Sequence, residues 1–190
     1  ELYNEFINSL ETDNILLLFA GHGEFNSTLG TSYWMCSDSK KSNVTTWLNV
    51  EDILKFFNAS PAKHIALISD SYFSGAIFEL NRGGGISALD GKISRQALTS
   101  GGIEKASDGL LNSPFNTALV KILNENKSKH LSFNKLSENT ILEFNQYRKQ
   151  TPACGPLINS GDKGGTFFFK LKKDNSIIIK SIQIPLEINQ

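Results

Sequence analysis

The chain has 190 residues, 39% of them hydrophobic and 20% charged, enough length and apolar content to bury a core without metal or disulfide staples. Nineteen basic residues balance nineteen acidic ones, which excludes a global field that would gather nucleic acid or an anionic membrane surface. No basic run beyond Lys172-Lys173 supplies a local one. Cys36 and Cys154 lie far apart, without metal-binding or redox spacing, and read as reduced thiols. The longest apolar stretch, residues 15–20, is too short to span a bilayer, and no charged-then-apolar leader opens the chain. The expectation is a cytoplasmic protein that binds neither nucleic acid nor membrane.

Leu2, Phe6 and Leu10 recur at helical spacing and predict a helix that feeds a strand over residues 14–20, NILLLFA. That apolar run is of the kind buried on both faces of a parallel sheet, and it ends in Gly21-His22-Gly23. Residues 24–46 are rich in Ser, Thr, Asn and Gly and read as a long loop with at most a short strand. Asn49 can cap a helix carrying Ile53, Leu54 and Phe57 that stops near Ser60-Pro61. A second buried strand, residues 64–69 (HIALIS), runs into Asp70-Ser71-Tyr72-Phe73-Ser74-Gly75. Residues 81–94 form a glycine-rich surface segment, and residues 95–100 are a third strand. Pro114 suits a first helical turn, ahead of a stripe of Phe115, Ala118, Leu119, Ile122 and Leu123. Ser132 caps a further helix with Phe133, Leu136, Thr140, Ile141, Phe144 and Tyr147 on one face. Residues 166–171 (TFFFKL) are a fourth strand, with a peripheral fifth expected at 176–184.

Strands alternating with helices predict an α/β open sheet with helices on both faces. Ligands of such sheets bind beyond the carboxyl ends of the strands, which is where His22 and Asp70-Ser71-Tyr72 fall. A histidine between two glycines either acts as a base for what the neighbouring strand end offers or simply closes a strand. His64 reads as the start of its strand and His130 as part of a polar loop.

The stretches LLLFAGHGE, HIALISDSYFSG, SRQALTSGG followed by SDG and SPFNTALVKIL, and GPLINSGDKGGTFFF together resemble, in order, a prokaryotic caspase-like peptidase of the metacaspase and orthocaspase type (peptidase C14). The resemblance implies a caspase-like three-layer sandwich over residues 1–171, with a mainly parallel sheet, an antiparallel last core strand, and residues 172–190 as a C-terminal extension. It makes His22 the catalytic histidine and Gly23 an oxyanion-hole backbone donor, together with the backbone of residue 72. Asp70 becomes the floor of a pocket for an Arg or Lys side chain. The other reading of Asp70, compatible with this, is a cap on the following helix.

The family's nucleophilic cysteine is replaced by Tyr72, while Ser71, Phe73, Ser74 and Gly75 agree with the motif. A phenol of pKa about 10 is a poor nucleophile near neutrality where a thiol beside a histidine is a strong one. Its oxygen also lies roughly 6 Å from Cα instead of roughly 3 Å, and misplacement by about 1 Å can cost a hundredfold. Ser71 and Ser74 do not occupy the nucleophile position, and Cys36 and Cys154 lie in other segments. The expected function is therefore a pseudopeptidase that acts by binding a peptide or protein, as a decoy, scaffold or regulatory subunit, with an active paralogous peptidase as one partner. The alternative is an active cysteine endopeptidase whose native cysteine Tyr72 has replaced.

The resembled family has further strands and a helix ahead of the segment that starts here, so residues 14–20 would be a long apolar edge. An earlier segment or another polypeptide would complete the sheet. Residues 81–94 match the linker where active relatives are cut, with Arg82, Lys92 and nearby Arg95 as basic positions; a surface loop is the plainer reading. Asp38, Glu79 and Asp108 make no calcium ligand set, and neither metal nor cofactor is expected.

Overall fold

Two fully buried strands build the centre of the molecule. In the computed structural model, which describes residues 2–71, 89–101, 113–145 and 152–171, β5 (His64–Asp70) and β6 (Ser94–Thr99) are buried at every position. They pair in parallel, and β5 pairs in parallel with β1 (Asn14–Ala20) on its other side. A fourth strand, β8 (Ala153–Pro156), runs antiparallel to β6 and closes the order β1-β5-β6-β8. The protein is thus mixed α/β with a mainly parallel central sheet.

Alternation along the strands divides the core in two. Ile65, Leu67 and Ala97 point to one face, where α1 (Leu2–Ile7) and α2 (Val50–Ala59) supply Phe6, Ile53, Leu54 and Phe57. Ala66, Ile68 and Leu98 point to the other, beneath Phe115, Ala118 and Leu119 of α3 (Pro114–Glu125) and Phe133, Leu136 and Phe144 of α4 (Phe133–Phe144). Two helices begin at the expected caps and a third at Ser113: the side chains of Asn49, Ser132 and Ser113 accept from the backbone N–H groups of Glu51, Lys135 and Asn116. Ser60 in extended conformation ahead of Pro61 ends α2.

Several expectations change. Residues 24–46 are not a long loop: β2 (Gly23–Asn26) and β3 (Thr31–Trp34) form an antiparallel hairpin, joined by the two-residue β4 (Leu48–Asn49). The 166–171 run is not the fourth strand of the main sheet. Its core, β9 (Phe168–Lys170), pairs with β7 (His130–Ser132) in a separate ribbon, so His130 starts a strand. The main sheet's antiparallel member is β8, four residues containing Gly155 and Pro156 that carry no strand signal of their own. Nor is β1 buried on both faces. It is the edge of the described sheet, with alternate residues exposed, Leu18 to 58%. The expected strand at 176–184 and the extension 172–190 lie outside the described residues, as does Tyr147.

The amino end of the sheet is stitched by hydrogen bonds. Arg95 is buried in β6, its guanidinium donating to the carbonyls of Phe57, Ser60, Ala62, Lys63 and Ser94. Burial lowers its pKa to about 10, so it remains charged at neutral pH. It is consequently not an exposed processing position; of the basic residues near the linker Lys92 is exposed and Arg82 lies outside the described residues. His64 Nε2 donates to the carbonyl of Asp90 at 3.2 Å, which leaves Nδ1 to accept from Ser94 Oγ at 2.8 Å. Burial pushes the His64 pKa down.

Candidate functional site

The parallel register aligns Ala20 with Asp70, and the N–H of Gly21 donates to the carbonyl of Asp70 at 3.3 Å. The turn containing His22 and the chain leaving Asp70 therefore sit at one end of the sheet, the carboxyl end. The Gly21 position leaves little room: an added Cβ would lie 3.1 Å from the ring of Phe19, which stacks on Trp34 with centroids 4.1 Å apart. The His22 carbonyl accepts from Met35 N–H at 2.9 Å, so the β2–β3 hairpin holds the turn from its far side. That bond makes Gly23 and Trp34 a non-hydrogen-bonded pair, and the N–H of Gly23 points out of the ladder. The His22 imidazole is half exposed, with Nε2 3.6 Å from Glu24 Oε2.

Asp70 closes β5 and is only 6% exposed. Its Oδ2 accepts from Ser113 Oγ and from Asn116 Nδ2, the latter at 3.0 Å. Ser113 Oγ in turn accepts the N–H of Asn116, so one hydroxyl caps α3 and ties the carboxylate to the positive end of the helix. Oδ1 of Asp70 is buried without a hydrogen-bond partner among the described residues. The same holds for the hydroxyl of Ser100, just past the end of neighbouring β6, whose N–H is bound to the Ser69 carbonyl. A buried carboxylate oxygen without a donor is costly to the fold, and a cationic side chain brought by a ligand would supply the missing donors.

The site residues expected from sequence divide accordingly. His22, Gly23 and Asp70 come together at the carboxyl end; Tyr72 lies one residue beyond the described Ser71. Asp70 reaches α3 through the Ser113 and Asn116 side chains, and the segment that follows it directly lies outside the described residues. Ser71 is buried and shares a 2.9 Å hydrogen bond with Ser69, a setting unlike that of an exposed nucleophile. Cys36, although remote in sequence, follows Met35 and is brought by the hairpin to the His22 turn. Burial, then Asp38, raises its pKa, the opposite of what activates a nucleophile. Burial, then Glu138, does the same to Cys154 in β8. Ser100, Ser113 and Asn116 went unassigned in the sequence reading. Of their roles only the cap at Ser113 leaves a local signal.

Among the described residues no three His, Cys, Asp or Glu side chains gather as metal ligands, and no helix is long and apolar enough to cross a membrane. Glu79 and Asp108 lie outside them. The chain matches no protein-family model and no curated protein sequence.

Proposed function

We propose that this chain is a caspase-like (peptidase C14) peptidase homologue that has lost its nucleophile and works by binding a peptide or protein through an Arg or Lys side chain. The observation that carries the reading is the buried carboxylate of Asp70, one oxygen of which has no hydrogen-bond partner among the described residues, set beside the His22 turn at the carboxyl end of the sheet. A guanidinium suits this position because its planar N–H fork can reach a carboxylate oxygen and a neighbouring hydroxyl together. The sheet order, with parallel strands followed by one antiparallel member and helices on both faces, supports the finer caspase-like sandwich. Catalysis by the family route would need His22 to take a proton from a short, acidic nucleophile at position 72, with the backbone N–H groups of Gly23 and residue 72 receiving the oxyanion. Tyr72 offers a phenol at the wrong reach, so recognition is retained without hydrolysis.

The test pairs binding with rescue of activity. Calorimetric titration with short peptides ending in Arg, Lys or Asp should show binding of the first two only, weakened about tenfold or more by Asp70→Asn. Tyr72→Cys should cleave fluorogenic Arg or Lys substrates while the unaltered protein does not. A His22-dependent rate in the unaltered protein would refute the loss of activity, and indifference of binding to Asp70→Asn would refute the pocket.

A further inference from the structure

The ribbon of β7 and β9 gathers positive charge from two distant parts of the sequence. In its register His130 stands opposite Lys170, and the N–H of Leu171 donates to the carbonyl of Lys129 at 3.1 Å. That bond makes His130 and Lys170 a non-hydrogen-bonded pair, the closer of the two antiparallel kinds, with Cα atoms roughly 4.5 Å apart. Leu131 and Phe169 turn into the core, so the adjacent His130 and Lys170 turn outward, and both are exposed. Lys127 and Lys129, also exposed, come just before His130 in the chain. Their backbone is held in place: Ser128 N–H donates to Asn126 Oδ1, Asn126 Nδ2 to the Ser128 carbonyl, and Ser128 Oγ to the His130 carbonyl.

Groups of like sign directly opposite each other weaken a ribbon, as Lys170 and a protonated His130 do, and no acid offsets them. Among the described residues Lys55, Lys121 and Lys135 form ion pairs, whereas Lys127, Lys129, Lys170 and His130 form none. Glu125, the last residue of α3, is the nearest acid before them in the chain and is unpaired as well. From this we infer that the β7–β9 ribbon is a docking surface for an acidic segment of a partner protein. Its carboxylates seat over Lys127, Lys129 and Lys170, and Leu171, 55% exposed, gives apolar contact beside them. The chain carries as many acids as bases, so no overall field draws in a lipid surface, and the attraction is confined to a span that a few carboxylates can cover. Nucleic-acid binders engage about 6–10 phosphates and stack bases on exposed rings. Here the ring of Phe169 lies against Phe167 and the core instead.

Fluorescence anisotropy of the 190-residue chain with a labelled peptide rich in Glu and Asp around a central Leu should show saturable binding at low salt. That binding should weaken at least about tenfold at about 0.5 M salt, and the same peptide with Gln and Asn as its polar residues should not bind. The double substitution Lys129→Glu and Lys170→Glu should abolish binding. Lys41→Glu with Lys92→Glu, equally exposed and equal in charge, should leave it within about twofold. Lys170→Glu alone puts a carboxylate opposite His130, so that protein should melt no lower than the unaltered one. An unaltered chain that ignores the acidic peptide overturns the inference, as does equal loss of binding in the two double variants. Tighter binding of a single-stranded oligonucleotide, or of vesicles containing phosphatidylserine, overturns it too, by assigning the lysines to a different polyanion. A lower Tm for the Lys170→Glu protein would deny the like-sign opposition on which the docking surface rests.

Discussion

Arg95→Met would remove a cation that has no exposed surface to retreat to. All five N–H groups of the guanidinium are spent on carbonyls: Nε on Phe57 at 2.9 Å, Nη1 on Lys63 and Ser94 at 3.2 and 2.9 Å, Nη2 on Ser60 and Ala62 at 3.0 and 2.9 Å. Four of these carbonyls belong to the end of α2 and the turn that leads into β5. Methionine fills much of the volume but donates nothing, so the carbonyls lose their partners where water has poor access. The return of the guanidinium to water in the unfolded chain offsets part of that loss. Removing one partner from such a buried network costs about 3–5 kcal/mol. In a chain of this size each kcal/mol lowers Tm by about 2–4 °C, so Tm should fall by roughly 6–20 °C. Arg95→Lys keeps the charge with at most three donors and should fall between the two. Differential scanning calorimetry at neutral pH reads all three proteins. An Arg95→Met protein melting within about 2 °C of the unaltered one would show that these bonds are not what holds α2 to the sheet.

Gly165→Ala should destabilise by about 2–4 kcal/mol in urea unfolding, because the new Cβ would sit 2.1 Å from the Lys92 carbonyl oxygen; an unchanged midpoint would contradict the close approach. The lowered pKa of His64 means that, as pH falls through 6.5, the unfolded chain takes up a proton that the native ring resists. Stability should therefore decline below that pH, and His64→Gln should flatten the slope; equal slopes in the two proteins would dismiss the account. The raised pKa values of Cys36 and Cys154 predict alkylation by iodoacetamide at pH 7 at least about tenfold slower in the native protein than in denaturant, followed by mass spectrometry. Rapid native labelling of either thiol would show it to be activated.

What the sequence disclosed was whatever depends on neighbours in the chain. Asn49 and Ser132 could be placed at helix starts because a cap and its N–H partner lie within three residues of each other, and Pro114 marked the first turn of another helix. β5 was readable because a strand covered on both faces has no polar interruption. β8 was not, because Ala153 to Pro156 become a strand only through pairing with β6. The β2–β3 hairpin was hidden by Glu24, Asn26, Thr31 and Ser32, polar residues whose pairing is visible only once the strands meet. The site divides in the same way. His22 and Asp70 stand at strand ends and could be found there, whereas Ser100, Ser113 and Asn116 reach Asp70's end of the sheet from far along the chain. Arg95 looked like a surface cation because nothing local announces five carbonyls arriving from residues 57–63 and 94.

The two ends of the sheet differ in how completely their polar atoms are engaged. At the amino end Arg95, His64 and Asp162 knit β6 to the turn after α2 and to the loop following β8. At the carboxyl end Asp70 Oδ1 and Ser100 Oγ have no hydrogen-bond partner among the described residues. Substitutions around Asp70 and His22 therefore leave the bonds that hold α2 and the loop after β8 to the sheet untouched.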